Sequence, residues 1–456
     1  MDQSRQSPHA CPFPFPGGAV PLHDGLLDQD PRRFYEGLRG RWGAIAPVEL
    51  GPGVGAWLVM GYREVLELVW NEQAFSSDAR RWNALVEGSV PEDSALLSVL
   101  GWRPALHRLD DQAHRRQRQA VTATLNGVDL RRLRSAVRRR AEALVDGWST
   151  DGSADLVGGY ARPLAGHALR VLVGLPASEE RRLAALLGSI SGGAQDAARA
   201  EAELTGMLHR LVAARRDAPG PDLASWLLAH SVDLTEAEVA HNLAAVLLSG
   251  GESTVGWISG ATRLLVGDAR LRAAVADGPL TVKDVADRAL WGGSPVPNIA
   301  GRWARADLTF GGCGVRAGDL LIPCLAAANT ELLAHGSHDQ GSRAHLAWGT
   351  GSHGCPAKDA ARSIVEAAVD VLLRRLHHVR PGVGDTAPHR QPSLWSSTPE
   401  ALPVAFAPIL PGPNAVTAAS ASPTVMDVPE KRQDEPEADS GPAQPRWSWW
   451  NSLNSW

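Results

Sequence analysis

The sequence predicts a large, mainly α-helical domain with small β-sheets. Long stretches repeat apolar residues every three or four positions, which is the period of an amphipathic helix, whereas strand-like segments are few and short. The length of 456 residues permits a large core. Because residues 20–410 contain no convincing linker, we expect a single domain that covers residues 1–410.

The helical spacing is clearest in four stretches of the chain. They cover residues 130–148, 163–175, 181–215 and 362–376. The strand-like segments cover residues 57–60, 301–304 and 320–324. The difference in length between the two groups is what predicts a helix-rich fold.

The composition changes at residue 411. Residues 411–445 are rich in Pro and in acidic residues and are predicted to be a disordered linker. Residues 446–456 then contain four Trp. This end is either a weakly structured extension or a recognition segment, because Trp anchors carry much binding energy. Such a segment would dock on a protein partner, on a membrane surface or in the active site of the chain itself.

Composition also argues against several kinds of protein. The chain has 45 Lys and Arg against 50 Asp and Glu, a formal net charge of −5, which gives no support for nucleic-acid binding. Its four Cys include no CxxC pair, which excludes a disulfide-rich scaffold and a zinc ribbon. The Pro-rich N-terminus does not resemble a signal peptide, and no run approaches the roughly 18 apolar residues of a membrane-spanning helix. We therefore expect a soluble, cytoplasmic protein.

Cys355 has a setting that the other Cys do not share. Residues 347–358 read AWGTGSHGCPAK, so that three Gly surround a Cys just before a predicted helix. The helix dipole and the free N–H groups of a first turn favour a thiolate, and Gly lets the backbone approach a flat, bulky group. A thiolate in this position suits an axial ligand of haem iron. The alternative is a buried structural Cys, which we expect for Cys11, Cys313 and Cys324.

The same segment resembles the haem-binding signature of the cytochrome P450 family, FGxGxHxCxG. Trp348 stands in place of Phe and Ala357 in place of the last Gly, and residues 345–349 resemble the HLAFG segment common in bacterial members. The resemblance implies the cytochrome P450 fold, a helix-rich prism with small sheets, and haem b as cofactor. Cys355 would be the axial thiolate and metal ligand, and His353 would contact a haem propionate.

His114 and Arg118 lie four residues apart, which places them on one face of a helix. They resemble the HxxxR pair of the family's C-helix, which binds a haem propionate. Arg suits a carboxylate because its guanidinium forms two charge-assisted hydrogen bonds. The alternative is an exposed basic helical face.

Residues 247–254, LLSGGEST, place two Gly and an acid–alcohol pair inside an apolar helix. The two Gly are expected to open the helix locally. The segment resembles the family's AGxETT motif, which implies that Glu252 and Ser253 deliver protons to reduced dioxygen with help from Thr254. Family members usually have Thr at position 253. The alternative is a kinked helix with a locally bonded Ser.

Further resemblances follow in the family's order. Arg302 begins a segment, residues 302–307, that resembles the strand whose Arg binds the second propionate. Residues 327–331, AANTE, resemble the AANRD segment, and Arg343 lies where the Arg of the meander is expected. The matches span about residues 30–400.

The K-helix departs from the family's ExxR motif. Arg288 occupies the Glu position and Trp291 the Arg position, so the usual ion network between this helix and the meander cannot form. We expect Trp291 to fill the space by stacking on Arg343. In this respect the sequence resembles a small actinobacterial subgroup that lacks ExxR.

The resemblance implies a haem-thiolate monooxygenase that oxidises a small apolar organic substrate with O2. Electrons would come from NAD(P)H through a ferredoxin reductase and a ferredoxin, which basic residues near Cys355 such as Arg362 would attract. The alternative, favoured by the missing ExxR and by Ser253, is a catalytically degenerate haem-binding partner in a regulatory complex.

Apolar side chains are expected to surround the substrate, as in most small-molecule sites. The family's B–C region corresponds here to residues 78–108 and its I-helix to residues 243–258. The candidates in these two segments are Trp82, Leu85, Val86, Leu96, Leu97, Leu100 and Trp257.

Overall fold

Helices form most of the computed structural model, which describes residues 18–22, 31–92, 94–191, 196–334, 344–382 and 393–409. The α-helices of these residues are α1 (Pro31–Trp42), α2 (Tyr62–Trp70), α3 (Asn83–Val86), α4 (Leu96–Leu100), α5 (Asp111–Asn126), α6 (Leu130–Asp146), α7 (Arg162–Val173), α8 (Glu180–Ser191), α9 (Ala197–Asp217), α10 (Leu223–Leu228), α11 (Glu236–Gly267), α12 (Ala269–Ala276), α13 (Val282–Gly292), α14 (Leu325–Ala334) and α15 (Lys358–Arg375). The predicted helix-rich fold class is confirmed.

The strands of the described residues form three small sheets. They are β1 (Val20–Pro21), β2 (Ile45–Gly51), β3 (Val54–Val59), β4 (Phe75–Ser76), β5 (Ser153–Asp155), β6 (Arg302–Ala304), β7 (Leu308–Phe310), β8 (Cys313–Val315), β9 (Leu320–Pro323), β10 (Arg380–Pro381) and β11 (Pro403–Ala405). The largest sheet has the order β1-β2-β3-β9-β6-β4, the second β10-β11-β5, and the third is the β7-β8 hairpin.

Most sequence-based helix and strand predictions agree with the structure apart from their ends. Residues 130–148 correspond to α6, residues 163–175 to α7 and residues 362–376 to α15. Residues 181–215 are divided between two helices, α8 and α9. The strand predictions correspond to β3, β6 and β9.

The long helix α11 runs through the core. It begins at a capping box: the Thr235 hydroxyl accepts from the Glu238 N–H at 3.2 Å, and the Glu238 carboxylate accepts from the Thr235 N–H at 2.9 Å. Its apolar residues Leu243, Leu247 and Ile258 are fully buried. The helix contacts α7, α9, α13 and α15, so its position fixes that of its neighbours.

Helices α6 and α15 run in the same direction and are joined by a row of ion pairs, which we call the charge ladder. Its pairs are Arg134–Glu366 (2.7 Å), Arg138–Asp370 (2.7 Å), Glu142–Arg375 (2.5 Å) and Asp146–Arg375 (2.6 Å). The charges on α6 change from positive to negative halfway along the ladder, and those on α15 change in the opposite sense.

No helix within the described ranges has both the length and the apolar character needed to cross a lipid bilayer. The predicted linker (residues 411–445) and Trp-rich segment (residues 446–456) lie outside those ranges, as do Cys11 and Arg343. The predictions made for them, and the domain boundary at residue 410, stay predictions.

Candidate functional site

The segment that carries Cys355 is a tight loop in front of α15. Gly349 and Gly351 have positive φ angles of 62° and 71°, which favour glycine. A Cβ atom at Gly351 would lie 2.8 Å from the carbonyl oxygen of Val69, which leaves no room for a side chain. The Cys355 N–H donates to the carbonyl oxygen of Trp348 at 2.8 Å, and this bond closes the loop.

Two opposing influences act on the Cys355 thiol. Burial raises its pKa, while the Ala357 N–H and the charges of Lys358 and Arg118 lower it. The predicted effect of the helix N-terminus is present, but burial outweighs it, so the pKa of the free thiol stays above its ordinary value. A thiolate here therefore needs a further positive charge, such as the metal ion that a coordinating thiol binds.

His114 and His353 form one stacked pair beside this loop. Their ring centroids are 3.9 Å apart and the planes meet at 24°. The Ser77 hydroxyl lies 3.2 Å from His353 Nε2, and the Ser77 N–H donates to the Asp110 carboxylate at 2.8 Å. The Asp110 carbonyl oxygen also accepts from the His114 N–H at 3.0 Å. Burial lowers the pKa of both imidazoles, so they are neutral near pH 7.

Two Arg side chains belong to the same group. Arg118 lies one helical turn after His114 on α5, and Arg302, which is 5 % exposed, lies on β6. Arg302 Nη1 donates to the carbonyl oxygen of its neighbour Gly301 at 2.9 Å. Burial lowers the pKa of Arg302 to about 10, which leaves it charged near neutral pH. Arg118 and Arg302 thus place two positive charges near His353.

Several buried side-chain nitrogen atoms of this group have no hydrogen-bond partner among the described residues. They are Arg118 Nη1, His114 Nε2 and His353 Nδ1. Buried polar atoms in native proteins nearly always have a partner, so these atoms mark the place of a bound molecule. Donors that surround two Arg charges suit carboxylate groups.

A cavity of about 390 Å³ extends from the Cys355 loop to α11. It is lined by Gly349, Thr350 and His353 of the loop and by Ala244, Leu248 and Glu252 of the helix. Arg302 also lines it, whereas Cys355 is not among its lining residues.

The donor set fits haem b. One thiol, two Arg and two neutral His match an iron ligand and two propionate groups, and the glycines of the loop keep its backbone close to the cavity. Cys355 would hold the iron, Arg118 and Arg302 the propionates, and His114 and His353 would add hydrogen bonds.

The acid–alcohol pair of α11 also faces the cavity. Glu252 and Ser253 line it, while Thr254 is 3 % exposed and is not among the lining residues. The Glu252 Oε1 atom forms an ion pair with Arg162 of α7, while Oε2 is buried without a partner. The Ser253 hydroxyl donates to the carbonyl oxygen of Ser249 at 2.6 Å. Glu252 therefore offers one carboxylate oxygen to whatever occupies the cavity.

The predicted opening of α11 at its two Gly is wrong. The helix is continuous from Glu236 to Gly267. A Cβ atom at Gly250 would lie 3.0 Å from Cδ2 of Leu169, so this Gly instead allows α7 to approach α11 closely.

The residues predicted to form the apolar lining do not line the cavity. Trp82 and Leu100 are fully buried in the core cluster around Trp303, and the other candidates of the B–C region do not line the cavity. Trp257 donates to the Ala286 carbonyl oxygen at 2.8 Å and packs on Trp348, with ring centroids 5.0 Å apart.

Besides Val99, Gly101 and Ala105, the B–C region supplies polar residues to the cavity that were not predicted. They are Ser98, Arg103, His107 and Arg108. Arg103 forms an ion pair with Glu201 of α9, which also lines the cavity, with Nε 2.7 Å from Oε1. A partner almost a hundred residues away leaves no local signal in the sequence.

The K-helix α13 is anchored without ExxR. Asp287 of this helix pairs with Arg362 of α15 at 2.7 Å, and the side chains are 17 % and 19 % exposed. The Arg362 guanidinium lies 5.7 Å from the Trp257 ring centroid. Trp291 meets the His345 ring edge-on at a centroid distance of 5.5 Å, and its predicted partner Arg343 is outside the described residues. Arg362 is thus engaged with Asp287, and the prediction that it attracts a ferredoxin stays a prediction.

Replacing Arg362 with Met is expected to lower the free energy of unfolding by about 2 kcal/mol, because Asp287 would remain largely buried after losing this charge partner. Urea unfolding followed by circular dichroism measures the change. Adding Asp287→Asn to the same chain should restore part of the loss, since the buried charge is then removed as well.

Arg182→Met is the matched control, because Arg182 and Glu203 form an ion pair 2.8 Å apart between two helices at the surface. We expect this variant to unfold at the same urea concentration as the parent protein. Equal behaviour of the Arg182 and Arg362 variants would contradict an anchoring role for Asp287–Arg362.

Known proteins with similar sequences include bacterial cytochromes P450. The chain is 28% identical over 362 residues to cytochrome P450-SU2 of Streptomyces griseolus, covering 76% of this chain and 86% of the relative. It is also 28% identical over 420 residues to nocardicin C N-oxygenase of Nocardia uniformis, covering 88% of this chain and 100% of the relative. No model of a protein family matches the chain.

Solved structures give the same result for the fold. CYP154A1 from Streptomyces coelicolor superposes with a TM-score of 0.73 at 27% identity, over 83% of this chain and 98% of that protein. CYP154C4 from Streptomyces sp. W2061 superposes with a TM-score of 0.77 at 24% identity, over 85% of this chain and 97% of that protein. The predicted cytochrome P450 fold is therefore confirmed.

Proposed function

We propose that this chain, which belongs to the cytochrome P450 family of haem-thiolate monooxygenases, oxidises a small apolar organic substrate with electrons from a ferredoxin. The observation that carries the proposal is one cavity bordered by the Cys355 loop and by Glu252 and Ser253. Haem held by the Cys355 thiolate would supply dioxygen activation.

The residues of the chain divide the remaining tasks. Arg118, Arg302, His114 and His353 hold and orient the cofactor through its propionates. Glu252 moves protons at Oε2, while its other oxygen is fixed by Arg162. The Ser253 hydroxyl, which now donates to the Ser249 carbonyl oxygen, is the next group in the cavity wall and can exchange its proton.

The nature of the substrate is suggested by the apolar part of the lining. Ala244, Ala245 and Leu248 of α11, together with Val296 and Ile299, border the cavity. A cavity with such walls favours an organic molecule with a largely apolar surface.

Cys313, Cys324 and Cys355 carry no disulfide among the described residues, which suits the reducing cytoplasm where a ferredoxin would operate.

The first test is spectroscopic. The purified protein is reduced, exposed to CO and examined for the Soret shift of a thiolate-ligated haem, which we expect to be complete. A shift typical of a neutral ligand would overturn the proposal.

The second test concerns the electron donor. Candidate substrates are first chosen in a screen for molecules that shift the spin state of the haem iron when they bind. Each is then incubated with NADPH and a ferredoxin reductase, with or without a ferredoxin, and the product is measured. Product should appear only in the complete mixture. The alternative, a catalytically degenerate haem-binding partner, predicts no product in either mixture and is not favoured by relatives named as hydroxylases and oxygenases.

A further inference from the structure

Arg108 is a buried cation without a carboxylate partner. The residue is 2 % exposed, and no Asp or Glu of the described residues lies within 4.0 Å of its guanidinium. It donates to the carbonyl oxygens of Val99 and Ala300, the latter at 3.3 Å, and lies 5.9 Å from the Trp303 ring centroid. A guanidinium has five N–H donors, so these contacts do not use all of them.

The surroundings of Arg108 make its charge costly. Burial and the neighbouring charges of Arg302 and Arg103 lower its pKa to about 9, and no acid counteracts them. A buried charge that lacks a partner destabilises a fold strongly. Because Arg108 lines the cavity, a counter-ion can reach it from there.

The other charged residues of the cavity are already matched. Arg103 pairs with Glu201, and Glu252 pairs with Arg162. Arg302, Arg118 and the two His would be matched by the two propionates of haem b. Arg108 is the positive charge that remains among the described lining residues.

We propose that Arg108 binds a carboxylate of the organic substrate, so that the substrate is an apolar molecule carrying one acid group. This inference rests on the proposed monooxygenase function and names the substrate class for the same site. Arg108 and Ala300 lie together in the cavity wall that α11 and the Cys355 loop also border. The carboxylate is held at this end, and the apolar remainder extends along α11.

The experiment uses probes that bind the iron of the holoenzyme directly. Two series of ω-imidazolyl compounds of increasing chain length are titrated, one ending in a carboxylate and the other in an alcohol. The imidazole nitrogen gives an optical shift, so affinity is measured without knowledge of the natural substrate. For at least one chain length we expect the acid to bind about tenfold or more tightly than the alcohol.

Arg108→Gln should remove this preference for the acid, and Arg108→Lys should retain most of it because the charge is kept. His241→Gln is the control: His241 also lines the cavity, but burial and His209 lower its pKa to about 4, so it is neutral in the assay. This variant should keep the preference unchanged. Equal affinity of acids and alcohols at every length, or a preference that survives in Arg108→Gln, would overturn the inference.

Haem content distinguishes the two possible sources of the carboxylate. We expect the Arg108→Gln protein to retain haem as the parent does, measured as haem per chain and as transfer to apomyoglobin. Rapid haem loss with an unchanged acid preference would assign Arg108 to a propionate and overturn the inference. If the reduced protein gives the CO spectrum of a thiolate-ligated haem but shows no preference for acids, only the inference about Arg108 is overturned. If this spectrum is absent, the proposed function is overturned.

Discussion

Replacing Cys355 with Ser is expected to abolish the thiolate-type Soret shift of the reduced CO complex and to reduce oxygen-dependent product formation to background. Serine has nearly the same size and keeps the N–H bond to Trp348, so the loop should remain folded. What is lost is the sulfur donor that favours O–O cleavage. Absorbance spectra of the reduced protein with CO and product assays measure both effects.

Haem should remain bound in the Cys355→Ser protein, because Arg118 and Arg302 are unchanged. The matched control is Cys313→Ala, which alters a buried cysteine of the β7-β8 hairpin. It should leave the spectrum and turnover as they are. An unaltered CO spectrum after the Cys355→Ser change would remove the assignment of the iron ligand.

Replacing Glu252 with Gln is expected to lower product formation about a hundredfold and to increase the share of oxygen released as peroxide. Gln has the same shape but is neutral, so it cannot accept a proton at the position of Oε2. Arg162 would also lose its charge partner, but it is partly exposed, with a side-chain exposure of 31%. Oxygen uptake, peroxide and product are measured in one reaction, with a substrate chosen because it shifts the spin state of the haem iron.

Glu203→Gln serves as the comparison, since it removes an acid that pairs with an Arg at the surface rather than in the cavity. Its turnover and peroxide yield should equal those of the parent. If the Glu252 and Glu203 variants behave alike, Glu252 has no part in proton delivery.

Local sequence patterns predicted most of the fold, whereas the grouping around Cys355 was implied by the resemblance to the cytochrome P450 motifs. His114 and Arg118 lie four residues apart, so one turn of helix places them on the same face. The glycines before Cys355 shape the backbone of the loop to which they belong. Pairs such as Arg162–Glu252 and Asp287–Arg362 are separated by 90 and 75 positions, so no periodicity reveals them.

The errors have a similar origin. Leu96, Leu97 and Leu100 were expected to face a substrate because they are apolar, but α4 turns them towards the core around Trp303. Apolar character predicts burial without indicating which buried space a side chain enters. The residues that do face the cavity from this region include the charged Arg103 and Arg108 as well as the apolar Val99 and Ala105.

The order of charges along the charge ladder specifies one longitudinal alignment of α6 and α15. Sliding α15 by one turn would leave Arg138 opposite Glu366, but it would bring Glu142 opposite Asp370, two like charges. Exposed ion pairs contribute little to stability individually, yet a repulsive mismatch discriminates against the wrong alignment. Because Cys355 lies just ahead of the first turn of α15, this alignment also sets the depth at which its sulfur enters the site.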